Sequence, residues 1–396
     1  MRWVGETRKR ALSGRLLVSG GRSNKLNVIG FDDLVFVPAQ LARAPVDYYR
    51  ENVSAETMIG GSSENPLRLK TPILISAMSF GALSKEAKIA LAKASSMAGT
   101  STNTGEGGML PEERKEAELL IAQYSTGRFG VDEEYIRKAD AIEIKIGQGA
   151  KPGSGGLLPG VKVTEEIARL RRVPIGEDVH SPARHPDIEK VEDLKKKVGW
   201  IRDLNGGKPV IIKLGAGEVE NDIKFAVKAG PDAIAVDGME AGTGAAPKIM
   251  LDDFGIPALA ALVKARKVLD KLKAKQELLI GGGLNKGGDV AKALALGADA
   301  VFMGFPMLVA MGCTYCQQCH LGRCPVGIAT QDPDLRKKLD LKAARKVYNF
   351  ITACTEEVKM AAAACGKRDV HELNRSDLRS LSLVVSKITG VPLVGN

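Results

Sequence analysis

Residues 278 to 306 read Leu278-Leu-Ile-Gly-Gly-Gly-Leu284-Asn-Lys-Gly-Gly-Asp-Val-Ala-Lys-Ala-Leu-Ala-Leu-Gly-Ala-Asp-Ala300-Val-Phe-Met-Gly-Phe-Pro306. An apolar strand at Leu278–Ile280 runs into three glycines. An amphipathic helix follows over Gly288–Leu296, then a second apolar strand at Ala300–Met303 that ends on another glycine. Strand, glycine turn, helix and strand in so short a span make a βαβ unit, whose strands are parallel. Glycines at such strand ends let backbone close on a ligand without a Cβ in the way, and the last two βα turns of a barrel are where phosphate binds.

The same rhythm recurs upstream. Apolar strands are expected at Ile73–Ala77, Ala141–Lys145, Val210–Leu214 and Ala233–Val236, and shorter ones near Ser101–Asn103 and around Gly176–Asp178. Helices are expected at Lys85–Ala98, Thr164–Leu170, Asn221–Ala229 and Pro257–Leu272. Eight such repeats make an α/β fold, a (β/α)8 TIM barrel. Residues 1–65 lack the rhythm and are expected to be an N-terminal extension packed on a barrel at 66–332. Residues 333–396 are expected to form a helical tail, with helix from about Leu341 to Cys365 and near Asp377–Ile388.

The 396-residue chain is 44% hydrophobic but only 4% aromatic, so aliphatic side chains must fill its core. Its formal charge is +10, yet basic and acidic residues alternate along helices and do not cluster with aromatics, which argues against nucleic acid. A positive field suits anionic small substrates and an acidic electron carrier. The first residues hold no apolar run of signal-peptide length and no segment reads as a membrane span, so a cytoplasmic protein is expected.

Cys313, Cys316, Cys319 and Cys324 crowd together, with Pro325 after the last. Thiolates at such spacing suit one iron–sulfur cluster. Zinc is the alternative, with His320 as a further candidate ligand. Cys354 and Cys365 sit in apolar helix and read as buried free thiols.

Other candidates stand at strand ends. Ala77-Met78-Ser79 and Thr102-Asn103 offer small and polar groups against which a flat isoalloxazine can lie. Lys213 ends an otherwise apolar strand, so it faces a ligand in the barrel mouth or pairs with a carboxylate such as Asp237. Gly242-Thr243-Gly244 follows as another loop over the ligand. Lys145 and Lys151 flank a glycine-rich loop, with Arg169, Arg171 and Arg172 in the next helix; converging cations suit a substrate with two carboxylates. Glu106 is the only acid in its glycine-rich loop and is a candidate proton donor or acceptor, or a structural partner of the loop's own N–H groups.

Taken in order, Ala77-Met-Ser-Phe-Gly-Ala-Leu-Ser84, Asn103-Thr-Gly-Glu-Gly-Gly108, Gly127-Arg-Phe-Gly130, Lys145 to Lys151, Ser181-Pro-Ala-Arg-His185-Pro-Asp-Ile188, Gly242-Thr-Gly244 and Cys319 to Gln331 resemble the FMN-binding synthase domain of glutamate synthase, in its stand-alone form. The resemblance runs from about Phe31 to Leu393. It implies FMN, an iron–sulfur cluster beside it, and reductive amination of 2-oxoglutarate with ammonia to L-glutamate. By position, Lys145, Lys151 and Arg171 hold the substrate carboxylates, Glu106 contacts the substrate, and Glu106 and Lys145 are the catalytic pair. Ala77, Met78, Ser79, Asn103, Lys213, Gly242, Thr243, Gly244, Gly282, Gly283, Gly304 and Phe305 border the FMN.

Three departures sharpen these expectations. Arg2 follows Met1 where the large enzymes have a glutaminase cysteine, so glutamine hydrolysis is expected from a separate partner subunit, or ammonia is used free. Cys316 adds a fourth thiolate to the family's three, which favours [4Fe–4S], with [3Fe–4S] as the alternative. Leu157 stands where the large enzymes have a glutamine, which opens the choice of 2-oxo acid. An FMN oxidoreductase on another 2-oxo acid/amine pair, such as an N-methylglutamate synthase component using an alkylamine, and an electron-transfer subunit are the competing readings. The sequence shows no nicotinamide-binding GxGxxG, so electrons are expected from another protein, a ferredoxin or an NAD(P)H-oxidising subunit, within an oligomer.

Overall fold

The computed structural model describes residues 2–25 and 28–395. Eight parallel strands form the barrel: β1 Ile73–Ile75, β2 Ser101–Asn103, β3 Leu119–Tyr124, β4 Ala141–Lys145, β5 Val210–Gly215, β6 Ala233–Asp237, β7 Glu277–Gly281 and β8 Ala300–Met303. Each pairs with its neighbours in chain order, from β2 round to β8 and back to β1. The sheet's two ends, β2 and β1, are joined by side chains. Thr100 Oγ1 donates to Ile73 O at 2.6 Å, and Lys88 Nζ donates to Met78 O at 2.5 Å and Asn103 O at 2.8 Å.

Strand parity explains what the barrel encloses. Successive side chains alternate between the helix-facing and the inward side. Ile142, Ile144, Ile212, Ile234 and Val236 meet the helices, while Leu74, Ile121, Ala141, Ile211, Ala233, Leu279 and Phe302 fill the interior. Two residues further along the same inward rows stand Gln123, Glu143, Lys213 and Gly281, and four further stand Lys145 and Asp237. The inward rows are thus apolar at the strands' N-terminal ends and polar at their C-terminal ends. An antiparallel pair, Thr57–Ile59 with Leu67–Leu69, adds Ile59, Leu67 and Leu69 to the apolar interior.

The helix after β1, α1 (Lys85–Ala98), starts where Ser84 accepts a hydrogen bond from Ala87 N and stops at Gly99, whose φ of 62° favours glycine. The helix after β7, α2 (Gly287–Ala295), and the long helix α3 (Ala343–Ala364) complete the outer ring on that side. α3 lies against both α1 and α2, in the place of a barrel's eighth helix. Val18–Gly21 pairs antiparallel with Thr243–Pro247 in the loop after β6, and Leu34–Phe36 pairs with Leu378–Ser380, stitching the chain's two ends together.

One strand expectation fails. Barrel strand β3 is Leu119–Tyr124, and the segment around Gly176–Asp178 leads instead into Val179–His180, which pairs antiparallel with Leu157–Leu158 outside the barrel. Leu119-Leu-Ile-Ala-Gln-Tyr124 follows the acidic helix Pro111–Glu116 with only Ala117 and Glu118 between, so its apolar run reads as that helix continuing.

Candidate active site at the barrel mouth

A cavity of about 190 Å³ opens at the C-terminal ends of the strands. On one side the glycines after β7 and β8 form its wall. Gly282 has φ +98°, and a Cβ there would stand 3.0 Å from Gly238 O. Gly283, Gly304 and Phe305 continue the wall, which meets Gly242, Thr243 and Gly244 from the loop after β6.

At the floor, Lys213 Nζ lies 3.2 Å from Asp237 Oδ2, both side chains nearly buried. Burial opposes the Lys213 charge, but Asp237 and then Glu143 outweigh it and hold its pKa above the ordinary lysine value. The two sequence-level alternatives for Lys213 are therefore both realised: it lines the cavity and is paired. Ala77, Met78 and Ser79 line the cavity from the loop after β1.

The opposite side is built from charged side chains. Lys145 Nζ lies 3.0 Å from Glu106 Oε2. Burial would raise the Glu106 pKa, but Lys145 and the facing Ser181 and Ser125 hydroxyls bring it to about 2, so the carboxylate is ionised. Its Oε1 is buried without a partner. Lys151 Nζ donates to Ala245 O at 2.8 Å, and burial, with the Lys145 charge, pushes its pKa down to about 7. Arg171 donates to Ser79 Oγ at 3.0 Å and Phe80 O at 2.6 Å. Burial lowers its pKa to about 10, and its Nε has no partner. The other two arginines stay outside: Arg172 pairs with Asp132 at the surface and Arg169 lines a separate outer hollow. Leu157 lines the cavity, as its position suggests.

The motifs at 127–130 and 181–188 form a support behind Lys145. His185 Nε2 lies 2.9 Å from Lys145 O, and its Nδ1 lies 2.9 Å from an Arg128 nitrogen. Burial drives the His185 pKa to about 4, so the ring is neutral. A carbonyl only accepts, so Nε2 carries the proton and Nδ1 receives the Arg128 bond.

Of the residues singled out from sequence for flavin or substrate, all but Thr102, Asn103, Arg169 and Arg172 line the cavity. Asn103 is buried beneath it, donating to Glu143 Oε1 at 3.3 Å and accepting from Gly105 N at 2.9 Å. Glu143 also accepts from Gln123 Nε2 at 2.6 Å, while its Oε2 has no partner. Sequence reading missed Glu143, Gln123 and two lysines. Lys88 is buried against Glu113 at 2.7 Å, and Lys162 is buried in the cavity wall. For Glu143 and Gln123 the signal is their inward parity. For Lys88 it is a lysine on the apolar face of α1.

Cys313, Cys316, Cys319 and Cys324 are all free thiols and together line a small cavity beside the first, closed by Leu308, Ile328 and Ala329. Cys319 and Ala329 border both cavities. Tyr315 and Gln317, between the cysteines, each have φ 57°, which wraps the backbone around this space, and Tyr315 N donates to Cys313 Sγ at 3.5 Å. The thiols surround the cavity; among the described residues they do not converge as a single-ion site. His320 does not line it. Also among the described residues, no helix is long and apolar enough to cross a membrane.

The family described as a conserved region in glutamate synthase matches residues 30–368. A glutamate synthase large subunit-like protein of Rhizobium meliloti is 40% identical, over 99% of this chain and 93% of that protein. An archaeal glutamate synthase [NADPH] of Archaeoglobus fulgidus is 41% identical, over 96% of this chain and 79% of its own. Among solved structures, mandelate oxidase with (S)-4-hydroxymandelic acid superposes with a TM-score of 0.58 at 18% identity, covering 91% of this chain and 92% of that one, a likeness of fold. On the matched length and these identities, the chain belongs to the glutamate synthase family.

Proposed function

We propose that this chain is the FMN- and iron–sulfur-dependent synthase component of a cytoplasmic glutamate synthase, reductively aminating 2-oxoglutarate with ammonia to L-glutamate. The carrying observation is that Lys145, Lys151 and Arg171 meet in one cavity at the barrel mouth opposite a glycine-built wall. Family membership and the A. fulgidus relative's printed name support the same reading.

The residues present fit FMN. Gly282, Gly283 and Gly304 bring backbone to the cavity where a phosphate can approach, and the Lys213 ammonium sits at the floor to face an anionic ring edge. When bound and reduced, FMN would supply the hydride that reduces the C2 imine formed from 2-oxoglutarate and ammonia. Ala77, Met78, Ser79, Gly242, Thr243, Gly244 and Phe305 border the ring and its tail. Asn103 supports this floor through Glu143 and Gly105.

The substrate side follows from charge. Lys145, Lys151 and Arg171 hold the two carboxylates of 2-oxoglutarate, and Arg171 Nε and Glu106 Oε1 are the buried polar atoms left free to meet it. A substrate carboxylate competes with Glu106 for Lys145. Glu106, released from the pair, becomes the base that receives a proton from the incoming ammonium. Glutamine-derived ammonia comes from a partner glutaminase subunit, and electrons from a ferredoxin or an NAD(P)H-oxidising subunit, in an oligomeric complex.

The cysteine loop fits a cluster better than one zinc ion. A zinc ion draws four sulfurs onto a single centre, whereas each cysteine of a cluster binds its own iron, so the thiols stand around a space. Four thiols favour [4Fe–4S] over [3Fe–4S]. Cys316→Ser should convert the four-iron form to the three-iron form with FMN retained; an unchanged electron paramagnetic resonance spectrum would remove Cys316 from the ligand set.

Leu157 favours one second reading, another 2-oxo acid/amine pair as in N-methylglutamate synthase, because it places an apolar wall in the substrate cavity. One anaerobic experiment tests both. The chemically reduced protein is mixed with 2-oxoglutarate and either ammonium or methylamine, and flavin reoxidation is followed with amino-acid analysis. L-glutamate from ammonium supports the synthase, N-methylglutamate from methylamine supports the second reading, and flavin indifferent to both overturns each.

A further inference from the structure

Lys162 lines the barrel-mouth cavity on the side where the cysteine loop packs against it. It ends the short turn Gly160–Lys162, and its side chain is only 1% exposed. The stem packs on Gly322, between Cys319 and Cys324, where a Cβ would lie 3.3 Å from Lys162 Cγ. Its Nζ donates to Ala82 O at 2.6 Å, in the loop after β1, and reaches Cys319 O at 3.4 Å.

Three of the other lysines near the mouth have identifiable counter-ions. Lys88 has Glu113, Lys145 has Glu106 and Lys213 has Asp237. Lys151 faces the space assigned to the substrate's carboxylates. Lys162 has two carbonyl oxygens and, among the described residues, no carboxylate partner. The charged or ionisable groups that face it are Cys319, Cys324, His320 and the repelling Arg171. Burying an ammonium against carbonyls alone is expensive, so the fold implies a negative charge nearby that the carboxylates do not supply.

We infer that Lys162 is the counter-ion of the thiolate-ligated cluster and a positioning residue that raises the cluster's reduction potential beside the flavin cavity. The inference rests on the cluster reading of the cysteine loop. Thiolates and cluster together carry net negative charge, and each added electron increases it. A cation fixed in a low-dielectric wall stabilises the reduced form more than the oxidised one. Its tie to Ala82 O also fastens the cysteine loop to the loop after β1.

The test compares the holoenzyme with Lys162→Met and Lys162→Arg, all purified anaerobically, by iron, sulfide and FMN content and by a potentiometric titration of the cluster signal. Lys162→Met should keep its iron and flavin but lower the equilibrium constant for one-electron reduction at least tenfold, about 59 mV. Lys162→Arg, which keeps the charge, should stay near the wild type. If the Met variant loses its cluster, retention in the Arg variant sustains the counter-ion role and loss in both assigns Lys162 to packing and overturns it. A fully loaded Met variant at the wild-type potential also overturns it. Wild-type protein without iron would instead sink the cluster reading beneath it.

Discussion

The two halves of the barrel mouth are built from different materials. The side after β7 and β8 is backbone: Gly282, Gly283 and Gly304 bring main chain to the cavity and their side chains contribute nothing. The side after β2 and β4 is side chain: Glu106 from the loop after β2, Lys145 and Lys151 from the loop after β4, and Arg171 from the helix that follows converge from three segments, each held by a partner elsewhere. A backbone wall is fixed by local conformation and suits a ligand that stays. A wall of buried charges is held by long-range contacts and can change partners when a substrate enters.

The widest separation between the two halves should appear in stability. Lys88 and Glu113 are buried together beneath the loops after β1 and β2, and Lys88 joins the two strands that share no ladder. Lys88→Met leaves Glu113 as an unpaired buried carboxylate and should cost about 3–5 kcal/mol in a denaturant titration. Lys88→Met with Glu113→Leu should recover most of that loss. A double variant no better than the single would mean that the hydrogen bonds across the seam, and not the charge, carry the stability.

Catalysis comes next in size. Lys145→Ala should reduce turnover on the order of 10²–10³-fold while leaving FMN content unchanged, because the lost cation faces substrate and not the glycine wall. Turnover near wild type would take Lys145 out of the site. Gly282→Ala probes the other half with a smaller effect. At φ +98° and 3.0 Å from Gly238 O, an added Cβ strains the turn by about 1–3 kcal/mol. FMN affinity should fall about tenfold with the KM for 2-oxoglutarate little changed, as measured on protein titrated with flavin. A larger effect on KM than on flavin binding would erase the division between the halves.

The same division explains what the sequence discloses. The glycine half is legible because its requirement is local: Leu279-Ile-Gly-Gly-Gly-Leu284 carries the strand, the turn and the cradle in one run. Lys145 and Lys213 are legible because each stands at the polar end of an apolar strand. Lys88, Glu143 and Lys162 escape because their partners lie in other segments, and only closure of the barrel brings Lys88 to Asn103 O or Lys162 to Cys319 O. β3 escapes for a different reason, since an acidic helix runs almost directly into it and hides the change of period. Asn103 shows the limit from the other side: its segment is the barrel strand expected there, but its side chain points to Glu143 beneath the cavity.

Lys151 gives, per pH unit, an effect no larger than that of Gly282→Ala, and the one that bears most directly on a wall of charges. Burial pushes its pKa from 10.5 to about 7, below its value in the unfolded chain. A lysine whose folded pKa is depressed weakens the fold fully below pH about 7, and stability recovers as pH rises from there toward the unfolded value. A substrate carboxylate has the opposite preference, because it requires the ammonium. Binding above pH about 7 must therefore take up a proton, and the affinity for 2-oxoglutarate should fall by up to about tenfold per pH unit. Titrating the flavin absorbance with 2-oxoglutarate between about pH 6 and about pH 9 measures this slope. Lys151→Arg, charged throughout, should flatten it. A slope that survives in the arginine variant would move the linked proton to another group and leave Lys151 as a structural contact to Ala245.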